Sequence, residues 1–286
     1  MNADFREFAR DKIVIMSAPN GARRSHADHP ALPMTAEESA RDAVALLDAG
    51  VSVLHLHVRD DDGKHTLDAD RYRQAIEAIR NSVGNELVIQ VTTEAVGQYT
   101  SEQQMDVVRE LKPEAVSVAL REICPVDTDE SVAADFFAWM RDERIWPQVI
   151  LYSVEDVTRF DGLRRRSVFA DEAPFVMFVL GNYADAIAGT VADLDGLLAV
   201  TDSDVYPWAV CCFGQEENAV MRAATLREGH VRLGFENNLV LPDGEIAADN
   251  AALIREYTAS SAASARRPAS AADVRAAFQL VSNPLL

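Results

Sequence analysis

The sequence predicts an α/β protein closed into a (β/α)8 TIM barrel, and two observations carry that prediction. Short apolar, β-branched runs recur eight times along the 286 residues, with stretches of helical period between them. No G-x-G-x-x-G follows the first run, which disfavours a doubly wound open sheet, the other fold built on this alternation. The predicted strands are 12–17, 51–58, 87–91, 115–119, 148–152, 175–180, 208–212 and 230–235.

The first strand leads into a long loop, 18–33, whose three prolines and single glycine predict an ordered lid rather than a floppy tether. Thr35 and Glu38 then form a capping box. The helix it starts has Ala43, Leu46 and Leu47 as its apolar stripe and Gly50 as its stop. Helices at 70–79, 101–111, 131–144 and 216–227 follow the same 3.6-residue logic. The Ser- and Ala-rich stretch 259–265 reads as a loop before an extra C-terminal helix, 271–280, which offers a face to a neighbouring subunit. No linker, repeat or low-complexity run divides the chain, so 1–286 reads as one domain.

A hydrophobic fraction of 48% with only 13 glycines predicts a well-packed core. The formal charge of −19 excludes nucleic acid and anionic membranes as partners, although local arginines can still bind an anionic substrate. The first residues contain no apolar signal region, and no apolar stretch approaches a membrane span; a cytoplasmic protein is expected. The three cysteines, Cys124, Cys211 and Cys212, show no metal-type spacing. Cys211 and Cys212 are adjacent in a strand, project to opposite faces and read as small core residues.

Barrel geometry places function at the carboxyl ends of the strands. His55 and His57 lie there at i and i+2 in Val-Ser-Val-Leu-His-Leu-His-Val-Arg-Asp (51–60), so both imidazoles share one face. They could be core histidines satisfied by carbonyls, or they could suit a borderline-soft cation such as Zn²⁺. Glu236, at the end of the eighth strand, can supply a carboxylate ligand, because strand ends converge across a closed barrel. A His₂Glu set leaves a metal position open to substrate, as catalytic sites require. Arg59, Thr92, Thr93, Ser117 and Arg232 fall at the same end. An amidohydrolase needs more histidines on the middle strands, and the six here (26, 29, 55, 57, 65 and 230) include none on strands three to seven.

Four segments together resemble the β-keto acid cleavage enzymes, nearly end to end. These are Ala-Pro-Asn-Gly-Ala (18–22) with Pro-Ala-Leu-Pro (30–33), the histidine strand followed by Asp62, Gly63 and Lys64, Gln-Val-Thr-Thr (90–93), and Gly-His-Val-Arg-Leu-Gly-Phe-Glu (229–236). The resemblance implies a metal-dependent exchange between a β-keto acid and acetyl-CoA that gives acetoacetate and a new acyl-CoA. It implies Zn²⁺ or another divalent metal on His55, His57 and Glu236, catalysis by Arg232 with Asn237, and Thr92 on the substrate carboxylate, with Thr93 one register away. Asn20, Arg23, Thr93 and Ser117 are implied substrate contacts, and a homo-oligomer, a tetramer in the family, is implied as the assembly.

Two departures stand out. The family motif ends Glu-Asp where this chain has Glu236-Asn237, and Asn cannot accept a proton at neutral pH. Asn237 is then expected to orient Arg232, with the proton going to a carboxylate near the mouth, Glu94 or Glu122 just after the third and fourth strands, or to a metal-bound hydroxide. Arg23 occupies the place of a family Glu that binds a substrate ammonium, which disfavours a cationic tail and points to a substrate without an amino group. A catalytically weakened metabolite-binding barrel of the same family is the alternative, supported by Asn237 alone.

Overall fold

The computed structural model describes residues 3–171, 173–183, 187–202 and 205–280. Eight parallel strands form the barrel: β1 (Ile15–Ser17), β2 (Val53–Leu56), β3 (Val88–Thr92), β4 (Ala115–Ala119), β5 (Trp146–Leu151), β6 (Phe175–Asn182), β7 (Trp208–Cys212) and β8 (His230–Leu233). They pair in sequence order, and β8 pairs back onto β1 to close the ring. The fold is therefore the predicted TIM barrel.

Side-chain alternation fills the lumen in layers. Met16, Val53, Val88, Ala115, Phe175, Met177 and Ala209 make an apolar inner cluster. Two residues further along the strands the same face turns polar, with His55, Gln90, Ser117, Cys211 and Arg232 all buried. Cys212 faces the outer layer with Val210 and Leu180, so the two adjacent cysteines do project to opposite sides.

The second predicted strand, 51–58, is interrupted at His57. After Leu56 the chain leaves the barrel, and Val58–Arg59 pairs with His65–Thr66 as an antiparallel hairpin. The eighth, 230–235, stops at Leu233, because Gly234 (φ +142°) turns the backbone; a Cβ there would lie 2.3 Å from the Ala18 carbonyl oxygen. Helices Val154–Arg165, Val191–Leu198 and Asn250–Ser260 continue the expected alternation at places the sequence reading left without bounds, and Ala3–Asp11 precedes the barrel.

The extra helix Ala271–Phe278 lays one face, Ala271 and Val274, on its own chain and leaves Ala272 and Ala276 exposed. Val274 is fully buried, and Phe278 stacks on Trp146 at 4.0 Å beneath the barrel floor. Arg275 donates from Nε to Glu114 Oε2 at 2.8 Å and caps the Leu87 carbonyl at 2.8 Å.

Candidate metal centre and active site

Three buried side chains converge at the carboxyl end of the barrel. His55 Nε2 lies 3.0 Å from His57 Nε2, and Glu236 Oε2 lies 3.5 and 3.4 Å from the two nitrogens. Ligand atoms in a tetrahedral site with bonds of about 2.0–2.2 Å stand about 3.3–3.6 Å apart, so the triangle suits one small divalent ion. Gln90 Oε1, 2.8 Å from His55 Nδ1, calls for a proton on that nitrogen and leaves the Nε2 lone pair directed into the triangle. Glu236 Oε2 is buried and receives no hydrogen bond.

The electrostatics agree with the geometry. Burial, reinforced by Arg232, lowers His55 to about 3, and burial lowers His57 to about 4 despite the Glu236 carboxylate. Burial pushes Glu236 upward, but Arg232 and then His57 outweigh it and hold the carboxyl below the usual carboxylate range. Two neutral imidazoles and an ionised carboxylate meet in a space from which water is largely removed. A cation among them resolves the repulsion of their lone pairs.

Local structure explains why these atoms meet. After Gly234 the chain makes one tight turn, with the Asn237 and Asn238 amides donating to the Gly234 carbonyl. The turn brings Glu236 back over Arg232, whose Nη2 donates to Glu236 Oε1 at 3.2 Å and to Cys211 Sγ at 3.1 Å. The first loop locks onto this turn: Ala18 N donates to the Leu233 carbonyl, and Glu236 N donates to the Ala18 carbonyl. Gly21, at φ +58°, lies against Glu236, and a Cβ there would come within 2.5 Å of Glu236 Cγ. The loop is ordered, as expected, and Leu32 is fully buried against Phe235, Ala247 and Leu253.

Around the triangle a cavity of about 680 Å³ opens to the surface. Thr92, Thr93, Ser117, Arg232, Arg23 and Glu94 line it with the metal-site residues. Thr93 spends its proton on the Ser117 carbonyl, 3.0 Å away. Thr92 Oγ1 accepts from Glu94 N at 3.0 Å and keeps its own proton available. The Ser117 hydroxyl is buried without a partner. Burial, with Glu236 next, raises Glu94 to about 7, and Arg23 opposes that rise. Glu94 Oε2 stands 3.9 Å from His57 Nδ1.

Two predicted contacts lie outside the cavity lining. Asn20 is buried, and its Nδ2 donates to the carbonyls of Pro33 and His57, both at 3.0 Å; it pins the first loop to the histidine segment. Asn237 is buried with neither side-chain polar atom hydrogen-bonded, and among the described residues Arg232 is oriented by Glu236 and Cys211 instead. Gln90 was missed as a support for His55, although its place opposite His55 in the β2–β3 register could have revealed it. Tyr183, which donates to the Glu236 carbonyl, and Arg121 with Tyr152 at the far wall carried no motif that would expose them.

The model of the β-keto acid cleavage enzyme family matches residues 12–280. The chain belongs to that family. Among characterised members, the 3-keto-5-aminohexanoate cleavage enzyme of Fusobacterium nucleatum is 28% identical over 253 residues, covering 85% of this chain and 89% of that protein. The 3-oxoadipate:acetyl-CoA acetyltransferase of Cupriavidus necator is 25% identical over 279 residues, covering 94% and 95%. Among solved structures, apo ObcA superposes with a TM-score of 0.69 at 15% identity, over 88% of this chain and 66% of that longer one, a likeness of fold alone.

Proposed function

We propose that this member of the β-keto acid cleavage enzymes exchanges the acetate unit of a β-keto acid lacking an amino group onto acetyl-CoA, giving acetoacetate and a new acyl-CoA. The observation that carries the reading is the buried His55–His57–Glu236 triangle at the floor of a substrate-sized cavity. Zn²⁺ is the ion we assign, from the mixed nitrogen–carboxylate set. When bound, it supplies positive charge to the keto and carboxylate oxygens and so acidifies the carbon between them.

In the proposed cycle Thr92 donates to the substrate carboxylate, with Ser117 beside it, and Arg232 balances the negative charge that develops. Glu94 lies in the cavity between Arg23 and His57 and takes the proton from the methylene. The carbanion attacks the acetyl carbonyl and expels CoA thiolate. The thiolate adds to the original ketone, the bond between the methylene and that ketone breaks, and acetoacetate regains the proton. Asn20 acts from behind the site by holding the His57 backbone. Asn237 we retain as a support of the turn after β8 through its backbone bonds to Gly234 and Gly214, not as the acceptor. We further propose a single catalytic domain acting in the cytoplasm as a homo-oligomer, with its three cysteines free.

A panel of β-keto acids incubated with acetyl-CoA and the metal-loaded protein tests the reading. Acetoacetate and a matching acyl-CoA are expected from acids without an amino group. Better turnover of the 5-amino acid than of its neutral or dicarboxylic counterparts would contradict the substrate assignment, and no acetoacetate from any acid would overturn the reaction.

A further inference from the structure

We propose that Arg121, laid over the ring of Tyr152, binds a second, distal carboxylate, so that the substrate is a β-keto dicarboxylate. The inference rests on the reaction proposed above and names its substrate class. The triangle is built from β2 and from the turn after β8, the two strands that flank β1. In a ring of eight the strand facing β1 across the mouth is β5, and Tyr152 follows β5 directly. Arg121 reaches that ring from the short helix Leu120–Ile123 after β4, with its guanidinium carbon 3.8 Å from the ring centroid. A keto acid whose carboxylate and keto oxygens face the triangle therefore points its remaining chain at Arg121.

Stacking fixes the guanidinium plane while leaving the N–H donors along its edge free, the arrangement that grips a carboxylate bidentately. Among the described residues no carboxylate lies within ion-pair distance of those donors, whereas Arg80 and Arg275 are both paired on Glu114. The neighbouring Glu122 turns its Oε2 to the Ala95 amide at 3.1 Å. Arg23, at the place of the family's ammonium-binding Glu, also lines the cavity, but its charge is set against Glu94. Leu180, Leu197 and Phe213 in the same lining are apolar, and Ser153, Asn182 and Tyr183 beside them bring no positive charge to a second carboxylate.

The test compares 3-oxohexanedioate with 3-oxohexanoate, acids of equal chain length, in wild-type, Arg121→Gln and Arg121→Lys proteins loaded with Zn²⁺. KM is measured with acetyl-CoA, and direct binding by calorimetry without it. The dicarboxylate is expected to be preferred by the wild type. Arg121→Gln should weaken it about 10–100-fold while changing the monocarboxylate less than about twofold, since one charged hydrogen-bonded pair is lost. Arg121→Lys should recover only part of the loss, because an ammonium can neither stack nor fork. Equal wild-type affinity for the two acids, or equal weakening of both by Arg121→Gln, would overturn the inference while leaving the reaction intact. If no acid yields acetoacetate, the reaction fails, and calorimetry still decides the role of Arg121 by the same two criteria.

Discussion

Glu236 is held by two opposing demands. One oxygen pairs with Arg232 at 3.2 Å, and the other faces two imidazoles without a hydrogen bond. The same carboxylate thus anchors a buried guanidinium and completes the triangle proposed to hold a metal, and truncating either histidine should abolish binding there. We expect about one divalent ion per chain in the wild type by elemental analysis and a large loss in His57→Ala, with equal occupancy in the two proteins contradicting the ligand set. Asn237 gives the opposite kind of prediction. Its amide is buried, is unpartnered among the described residues and stands outside the cavity lining, so Asn237→Asp is expected to add a carboxylate behind the site. No large gain in acetoacetate formation is expected from that variant. A rise of about 10²–10⁴, the size of a general-base contribution, would make residue 237 the proton acceptor and the natural chain a weakened enzyme.

At the scale of elements, the first loop and the β8 turn act as one unit, joined by the hydrogen bonds of Ala18 with Leu233 and Glu236. Gly21 is where that unit closes directly on the Glu236 side chain. Gly21→Ala should lower metal affinity about 10–100-fold, as losses around a metal ligand do, with thermal stability changing far less; unchanged affinity by competitive titration would show that the contact is slack. Behind the turn, the fully buried Glu217 accepts from Gly234 N at 3.3 Å and from Asn238 Nδ2 at 3.1 Å. Burial raises it from 4.5 to about 8, although Asn238 and Gly234 work against that rise. A raised acid stabilises the fold below its ordinary value and loses that contribution as pH climbs toward about 8. Melting temperature should therefore fall between pH 5 and 8, and Glu217→Gln should flatten that fall; identical profiles would refute the assignment. These elements were partly legible in the sequence. The two-residue spacing of His55 and His57 showed their common face, yet not the break at His57, because the partner that draws Val58–Arg59 off the barrel, His65–Thr66, lies outside the strand itself. The eighth strand was drawn two residues too long for a related reason: the need for Gly234 comes from the Ala18 carbonyl, which lies far away in the chain.

For the whole molecule, the strand–helix alternation was enough to identify the barrel, because buried parallel strands read as dense β-branched runs. Of the helices left without bounds, Val191–Leu198 buries only Leu194 and Leu197, too little for periodicity to register. The destination of the tail helix was illegible, since an apolar helical face does not say which surface covers it. Here it closes the barrel floor, where Arg275 and Arg80 both pair with the buried Glu114. Arg275→Ala should cost about 3 kcal/mol in urea unfolding, at the low end for a broken buried pair because Arg80 remains; no measurable loss would mean the floor is held by packing alone. The mouth at the other end is where chemistry and fold meet, and one titration tests that connection most directly. Metal-stripped protein, given a β-keto acid and acetyl-CoA, should form no acetoacetate until divalent metal is added. Activity should then rise in proportion and saturate at one ion per chain, with Glu236→Gln remaining inactive throughout. Full activity of the stripped protein, or of Glu236→Gln, would contradict a catalytic metal on His55, His57 and Glu236.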